Sequence, residues 1–92
     1  MPNNAVTIAD MAFVPAEINI QVGDTVTWTN QDAVGHSACR DDPPAFDTGR
    51  LAQGDMSDPV TFHEQGTYDY FCRQHHHMTG KVIVSEAPAS GT

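Results

Sequence analysis

Basic side chains are scarce in this chain of 92 residues, which has four lysines and arginines against twelve aspartates and glutamates and a formal net charge of -8. This balance disfavours binding to nucleic acids and to anionic membrane surfaces, because both carry negative charge. It favours a cationic partner instead. No apolar run is long enough to span a bilayer, so we expect no direct membrane insertion.

A secretory signal is also missing from the beginning of the sequence. Residues 1–4, Met-Pro-Asn-Asn, lack the charged and apolar regions that such a signal contains. Met1 ahead of this polar start looks like an initiator added to a mature domain. We therefore expect an exported protein, located in the periplasm, a lumen or the extracellular space, whose signal peptide is absent from this sequence.

Charged residues make up only 17% of the chain and helix formers are few, whereas seven glycines and six prolines supply turns. Short runs of alternating apolar and polar residues recur between the turns, which indicates strands with one buried face. The alternating residues are Val6, Ile8, Ile18, Ile20, Val22, Val26, Trp28, Val60, Phe62, Tyr68, Tyr70, Val82 and Val84. Their spacing predicts an all-β sandwich or small barrel with mostly antiparallel strands.

The chain is short enough for a single domain, which we place at residues 1–85. Residues 86–92 are small and polar, and are predicted to form a flexible C-terminal tail. Between Ser37 and Pro59 the alternation is lost. A long excursion anchored by Phe46 and Leu51 is expected there, with at most a short helical turn.

The sequence contains only two cysteines, Cys39 and Cys72, which could form one disulfide in an oxidising compartment. Cys72, however, begins the pattern Cys-x-x-His-x-x-Met with His75 and Met78, and His36 stands alone upstream. A disulfide would destroy this pattern, so Cys39 is expected to be a free thiol. Cys39 as a second thiolate ligand would instead favour zinc or a dicopper centre.

A thiolate, two imidazoles and a thioether are the ligands of a type 1 copper electron-transfer site. Met78 alone would more often fill a core, and His36 alone would more often be an ordinary loop residue; their joint occurrence with Cys72 and His75 is what favours a site. We predict that these four residues bind one copper ion per chain, cycling between Cu(II) and Cu(I).

The sequence contains three further histidines that could bind a metal: His63, His76 and His77. A Cys-x-x-x-x-His spacing would select His77, but Gly80 then stands where the axial methionine is expected, so His75 is the better ligand. His76 and His77 are expected to be exposed loop residues able to take up stray divalent metal. His63 is out of phase with its apolar neighbour and is predicted to lie on the surface.

These residues resemble the cupredoxin family of type 1 blue copper proteins, and the ligand loop is most similar to that of the amicyanin branch, with plastocyanin as a longer-looped relative. The resemblance covers nearly the whole chain and is carried by residues 22–30, 46–51, 66–72 and 80–84. It implies a Greek-key β-sandwich of seven or eight strands that shuttles single electrons between redox partner proteins and is not an enzyme. His36, Cys72, His75 and Met78 match the family's copper ligands one by one.

The resemblance also implies where partners dock. The electron would pass through the exposed edge of His75, in a ring of small or apolar residues to which residues 33–35 contribute. Asp41 and Asp42 form either a solvated turn or an acidic patch for a partner. The protein is expected to be a monomer.

The chain departs from the family at two places. Ser37 follows the first ligand where the family often has Asn, whose amide ties the two ligand loops together, and it offers only a hydroxyl for that purpose. His76 and His77 stand where amicyanin-like loops usually have proline and an aromatic residue, which makes the docking surface more polar.

Two other functions fit parts of the pattern. A copper chaperone or storage module would use the histidine cluster and Cys39 without redox turnover. A fragment of a multicopper enzyme would need His-x-His pairs outside the first site. The only such spacing, His75 with His77, lies inside the ligand loop itself.

Overall fold

The computed structural model describes residues 3–41 and 44–86, which form nine strands and no helix. The strands are β1 (Asn3–Ala9), β2 (Ala12–Val14), β3 (Glu17–Gln21), β4 (Thr25–Asn30), β5 (Cys39–Asp41), β6 (Pro44–Asp47), β7 (Val60–Thr61), β8 (Gly66–Phe71) and β9 (Thr79–Ser85). Over the same residues, nothing has the helical length and apolar character that a membrane crossing requires.

The strands form two sheets. One has the order β2-β1-β4-β7 and the other the order β3-β9-β8-β5-β6. Five of the strand pairs are antiparallel, whereas β1 pairs with β4 and β3 pairs with β9 in parallel. The predicted all-β sandwich with mostly antiparallel strands is therefore confirmed. The described residues form nine strands, which is more than the seven or eight expected. Two of the nine, β2 and β7, are only three and two residues long.

The core lies between the two sheets and follows the alternation of the sequence. Val6, Ile8 and Trp28 are fully buried on the first sheet, and Tyr70 and Val82 are 2% and 0% exposed on the second. Because successive side chains of a strand point to opposite faces, each of these runs contributes every second residue to the core. An aromatic cluster joins the sheets, with ring centroids of Trp28 and Tyr70 5.4 Å apart.

The stretch after Ser37 is more regular than predicted. β5 and β6 form an antiparallel hairpin with a register shift between Arg40 and Asp41, and β5 also pairs with β8 through Cys39 and Phe71. The excursion is therefore partly a sheet edge, and no helical turn occurs in its described part. Both predicted anchors are confirmed, because Leu51 is 6% exposed and Phe46 packs against the core.

Some predictions fall on parts of the chain without a description. Asp42 and residues 87–92, which include most of the predicted tail, lie outside the described residues, and for Asp41 only the backbone is described.

Candidate metal centre

The four predicted ligands come from two connections of the sandwich, one between β4 and β5 and the other between β8 and β9. His36 lies between β4 and β5, Cys72 directly follows β8, and Met78 directly precedes β9. His75 lies on the short loop between Cys72 and Met78. Because β8 and β9 are hydrogen-bonded neighbours, the two ends of this loop lie side by side at one end of the second sheet.

Side-chain atoms of His36, Cys72 and His75 converge within 4.8 Å of one another. Cys72 Sγ lies 3.5 Å from His36 Nδ1 and 3.8 Å from His75 Nδ1. Met78 lies close to the same three residues and is 3% exposed. His36 and Cys72 are fully buried and His75 is half-buried, so His75 is the imidazole of the site nearest to solvent.

These separations fit one bound ion. A metal about 2.0–2.1 Å from nitrogen and about 2.3 Å from sulfur, the distances known for zinc sites, holds the two ligand atoms about 3.5–3.8 Å apart at angles of about 109–120°. The donor set of one sulfur and two imidazoles, with a thioether beside it, suits copper in both of its oxidation states. The residues present therefore fit a type 1 copper ion.

The ligand loop is closed by hydrogen bonds between the ligands' own backbones. Cys72 N–H donates to Met78 O at 3.0 Å, Met78 N–H to His75 O at 2.9 Å, and His75 N–H to Cys72 O at 3.2 Å. Each bond joins two of the three residues, so none of them can move alone. This arrangement preorganises the loop before any metal binds.

The backbone of His36 is held by a second set of bonds. His36 and Leu51 form an isolated antiparallel bridge with N–H to O distances of 3.1 and 2.7 Å. The fully buried Asn30 supports this region, because its Nδ2 donates to Val34 O at 2.9 Å and to Leu51 O at 2.8 Å. Asn30 Oδ1 also accepts the N–H of Asp32 at 2.9 Å, which shapes the chain leading to His36.

Asp32 orients the ring of His36. Its Oδ2 lies 2.9 Å from His36 Nε2, so Nε2 carries the proton and Nδ1 presents its lone pair to the site. The same carboxylate accepts the backbone N–H groups of Asp10 at 2.8 Å and of Met11 at 2.9 Å. Asp10 and Met11 have φ values of 51° and 59°, the left-handed conformation of a tight β1–β2 hairpin turn.

These bonds lower the pKa of the Asp32 carboxyl. The hydrogen bond from the Met11 N–H is the largest cause, and those from His36 and Asp10 act in the same direction. The carboxylate form is favoured because all three groups donate to it. The hairpin turn of the first sheet is thereby connected to a predicted metal ligand.

The other candidate residues lie outside the cluster. Cys39 is fully buried, its Sγ lies 3.6 Å from Phe71 O, and no disulfide joins it to Cys72. His76 and His77 are exposed, as predicted, and so is His63. Among the described residues, no second group of histidine, cysteine or carboxylate side chains is placed to hold a metal.

Three residues around the site were not predicted from the sequence: Asn30, Asp32 and Gln74. Asn30 follows the inward phase of Val26 and Trp28, so a polar residue at a core-facing position was the available signal. Asp32 and Gln74 carried no such signal, because an acidic and an amide residue in loops are usually solvated.

The sequence matches a family of known proteins, described as copper binding proteins of the plastocyanin/azurin family, over residues 2–85. Amicyanin of Paracoccus denitrificans is 39% identical over 88 residues, which cover 86% of this chain and 63% of that sequence. Amicyanin-alpha of Methylorubrum extorquens is 38% identical over 82 residues, covering 86% of this chain and 69% of its own. The chain thus spans a little under two thirds of the length of the first relative and a little over two thirds of the length of the second.

Solved structures agree with the sequence relatives. A structure of an oxidised amicyanin variant superposes with a TM-score of 0.83 at 35% identity, covering 89% of this chain and 81% of that one. The reduced Cu(I) form of another amicyanin variant gives a TM-score of 0.80 at 34% identity, with the same two coverages of 89% and 81%.

The fold and the site together define a small copper protein of the cupredoxin type. The chain belongs to the plastocyanin/azurin family of copper binding proteins. Copper is accordingly the metal for which this site is built.

Proposed function

We propose that the protein is a mononuclear blue copper carrier of single electrons, with His36, Cys72, His75 and Met78 as the copper ligands. The observation that carries this proposal is the convergence of one sulfur and two imidazole nitrogens within 4.8 Å at one end of the sandwich. When bound, copper supplies one-electron chemistry by alternating between Cu(II) and Cu(I).

The protein's own residues hold the ligand geometry constant during that exchange. The three backbone hydrogen bonds within the loop and the Asp32 contact to His36 keep each ligand in place. Little rearrangement is then needed when the charge of the site changes. Four protein ligands leave no position for a substrate, which supports a carrier and not an enzyme.

His75 is the proposed exit for the electron. His36 and Cys72 are fully buried and Met78 is 3% exposed, whereas His75 is half-buried in a loop at the molecular surface. Val34, two residues before the ligand His36, is 49% exposed and offers an apolar contact. Redox partner proteins would dock transiently on this end of the protein.

The net charge of -8 favours cationic partners, and Asp41 and Asp42 remain proposed contributors to such docking. We also propose a monomeric copper domain at residues 1–85, a flexible tail at residues 86–92 and an exported location. The related amicyanins and plastocyanins support export.

Copper loading of the purified apoprotein tests the ligand assignment. The loaded wild type should be blue, because a thiolate ligand to Cu(II) absorbs strongly in the visible range. Cys72→Ser should be colourless. Cys39→Ser is the matched control, since Cys39 is equally buried but lies outside the cluster, and it should stay blue. A colourless wild type, or loss of colour in Cys39→Ser alone, would contradict the assignment.

Voltammetry separates a carrier from a chaperone or storage module. A carrier should show fast, reversible one-electron waves and keep its copper over many cycles. A chaperone should instead transfer Cu(I) to an added chelator or acceptor and show no reversible wave. Metal content before and after cycling gives the second measurement.

A further inference from the structure

Ser37 and Gln74 connect the loop of His36 to the loop of Cys72. The Ser37 hydroxyl donates to Gln74 Oε1 at 2.9 Å and accepts the backbone N–H of Arg73 at 3.2 Å. Ser37 is 1% exposed, whereas Arg73 and Gln74 are exposed residues, so the two bonds join a buried hydroxyl to the surface loop of Cys72. The family's asparagine is absent at position 37, and a serine and a glutamine side chain together make the connection here.

The same oxygen of Gln74 reaches the sulfur of the site. Cys72 Sγ lies 3.5 Å from Gln74 Oε1, a distance at which the neutral thiol donates its proton to the amide oxygen. A cysteine bound to copper is a thiolate, whose sulfur has no proton to donate. Gln74 Oε1 would then face the thiolate sulfur of Cys72, and two acceptors in contact repel each other.

A half-turn of the Gln74 amide removes this conflict. The turn exchanges Oε1 for Nε2, and the rotation about the last bond of a glutamine side chain has two broad, similar minima. Nε2 carries two protons, so one can be donated to Cys72 Sγ and the other to Ser37 Oγ, while the hydroxyl proton of Ser37 rotates away from Gln74. Both distances measured to Oε1 suit these donations.

We propose that Gln74 is a positioning residue of the copper centre, whose side-chain amide turns when Cys72 becomes a ligand and donates a hydrogen bond to the thiolate. This inference rests on the proposed function, because it requires Cys72 to bind copper. A donor on the sulfur withdraws electron density from it and weakens its stabilisation of Cu(II). Gln74 therefore raises the preference of the site for Cu(I), and Ser37 acts through Gln74.

Reduction potentials of variants test this role. Gln74→Met keeps the length of the side chain and removes the donor, and Gln65→Met makes the same change at an exposed turn before β8. Gln74→Met should stay blue and lose about tenfold in its preference for Cu(I). Tenfold is the lower end of the range by which mutation of residues that hydrogen-bond a metal ligand changes metal affinity. Tenfold corresponds to a potential lower by about 59 mV for one electron. Gln65→Met should not shift the potential.

A double-mutant cycle distinguishes a network from a general effect of the substitution. Ser37→Ala should lower the potential in the wild type and change it much less in the Gln74→Met background, because its effect passes through Gln74. Additive shifts would overturn the proposed coupling. A Gln74→Met potential equal to that of a blue wild type would overturn the role of Gln74 while leaving the proposed function intact.

A measurement on the wild type needs no variant. In protein labelled with ¹⁵N at glutamine side chains, loading with diamagnetic Cu(I) should shift one Nε2 proton of Gln74 downfield and slow its exchange with water. Unchanged Gln74 side-chain signals on Cu(I) loading would overturn the turning of the amide. A colourless Cu(II)-loaded wild type would overturn the proposed function and this inference together, which separates the two failures.

Discussion

Gly80 is the position at which one added methyl group should destabilise the fold most clearly. It lies in β9 opposite Tyr70 of β8, and a Cβ at this position would stand 2.3 Å from Tyr70 Cζ and 2.4 Å from Oη. Tyr70 is 2% exposed and its ring contacts Phe13, Trp28 and Phe46 at centroid distances of 4.7, 5.4 and 5.8 Å. These three contacts resist a displacement of the ring towards the core.

The expected cost follows from this overlap. Carbon atoms in contact normally stay about 3.5–4.0 Å apart, so the clash exceeds 1 Å. Overpacking of a core costs about 1–3 kcal/mol and sometimes more, and we expect Gly80→Ala to lie near 3 kcal/mol. For a domain of this size, that loss corresponds to a melting temperature lower by about 12–24 °C.

Gly35→Ala is the matched control. A Cβ at Gly35 would stand 2.4 Å from Arg50 Cζ, almost the same approach, but Arg50 is exposed and its guanidinium is the far end of a flexible side chain. The side chain can swing away, so we expect a loss below about 1 kcal/mol. Urea and thermal unfolding of both apoproteins measure the difference.

Two outcomes would refute this reasoning. One is a Gly80→Ala variant within about 0.5 kcal/mol of the wild type, the usual range of surface substitutions. The other is a Gly35→Ala variant as unstable as Gly80→Ala. In a Tyr70→Leu background, which removes the ring, Gly80→Ala should cost measurably less, and the double-mutant cycle gives the size of this coupling.

Three further perturbations test other parts of the structure. Burial raises the pKa of Tyr70 to about 12, so the neutral phenol stabilises the fold below about pH 10, and urea titrations should show the wild type losing roughly 2 kcal/mol relative to Tyr70→Phe by pH 12. The lowered pKa of Asp32 contributes stability above about pH 3.9 that is lost at lower pH, so Asp32→Asn should show a shallower loss of stability on acidification from pH 6 to pH 3. Cys39→Ala leaves a small cavity at a fully buried position and should cost about 1 kcal/mol in unfolding experiments without changing the copper spectrum.

Much of the sandwich could be predicted from local patterns. Val6 and Ile8, and likewise Val82 and Val84, stand two residues apart in their strands and are all buried, at 0–3% exposure. The reason is geometric, because the two-residue period of a strand assigns alternate side chains to one face wherever that strand lies in the sheet. The same alternation does not specify which strands pair with each other.

Strand pairing required the tertiary structure. β1 pairs in parallel with β4, and β3 with β9, although the alternation of all four strands is equally compatible with antiparallel pairing. The β5–β6 hairpin was predicted as an irregular excursion because its residues do not alternate. Its pairing with β8 depends on a contact between Cys39 and Phe71, 32 residues apart in the sequence.

The chemistry of the centre was determined by the sequence alone. The spacing of Cys72, His75 and Met78, with His36 upstream, specifies a soft ligand set that few metals other than copper satisfy, because coordination preference depends on the identity of the donor atoms. What surrounds those donors was decided only by the fold. Asp32 of the β4–β5 connection is held by the backbone of Asp10 in the β1–β2 turn, and Ser37 of the same connection bonds Gln74 of the β8–β9 loop. These hydrogen bonds exist because the packed sheets bring connections that are distant in sequence within 2.9 Å of one another.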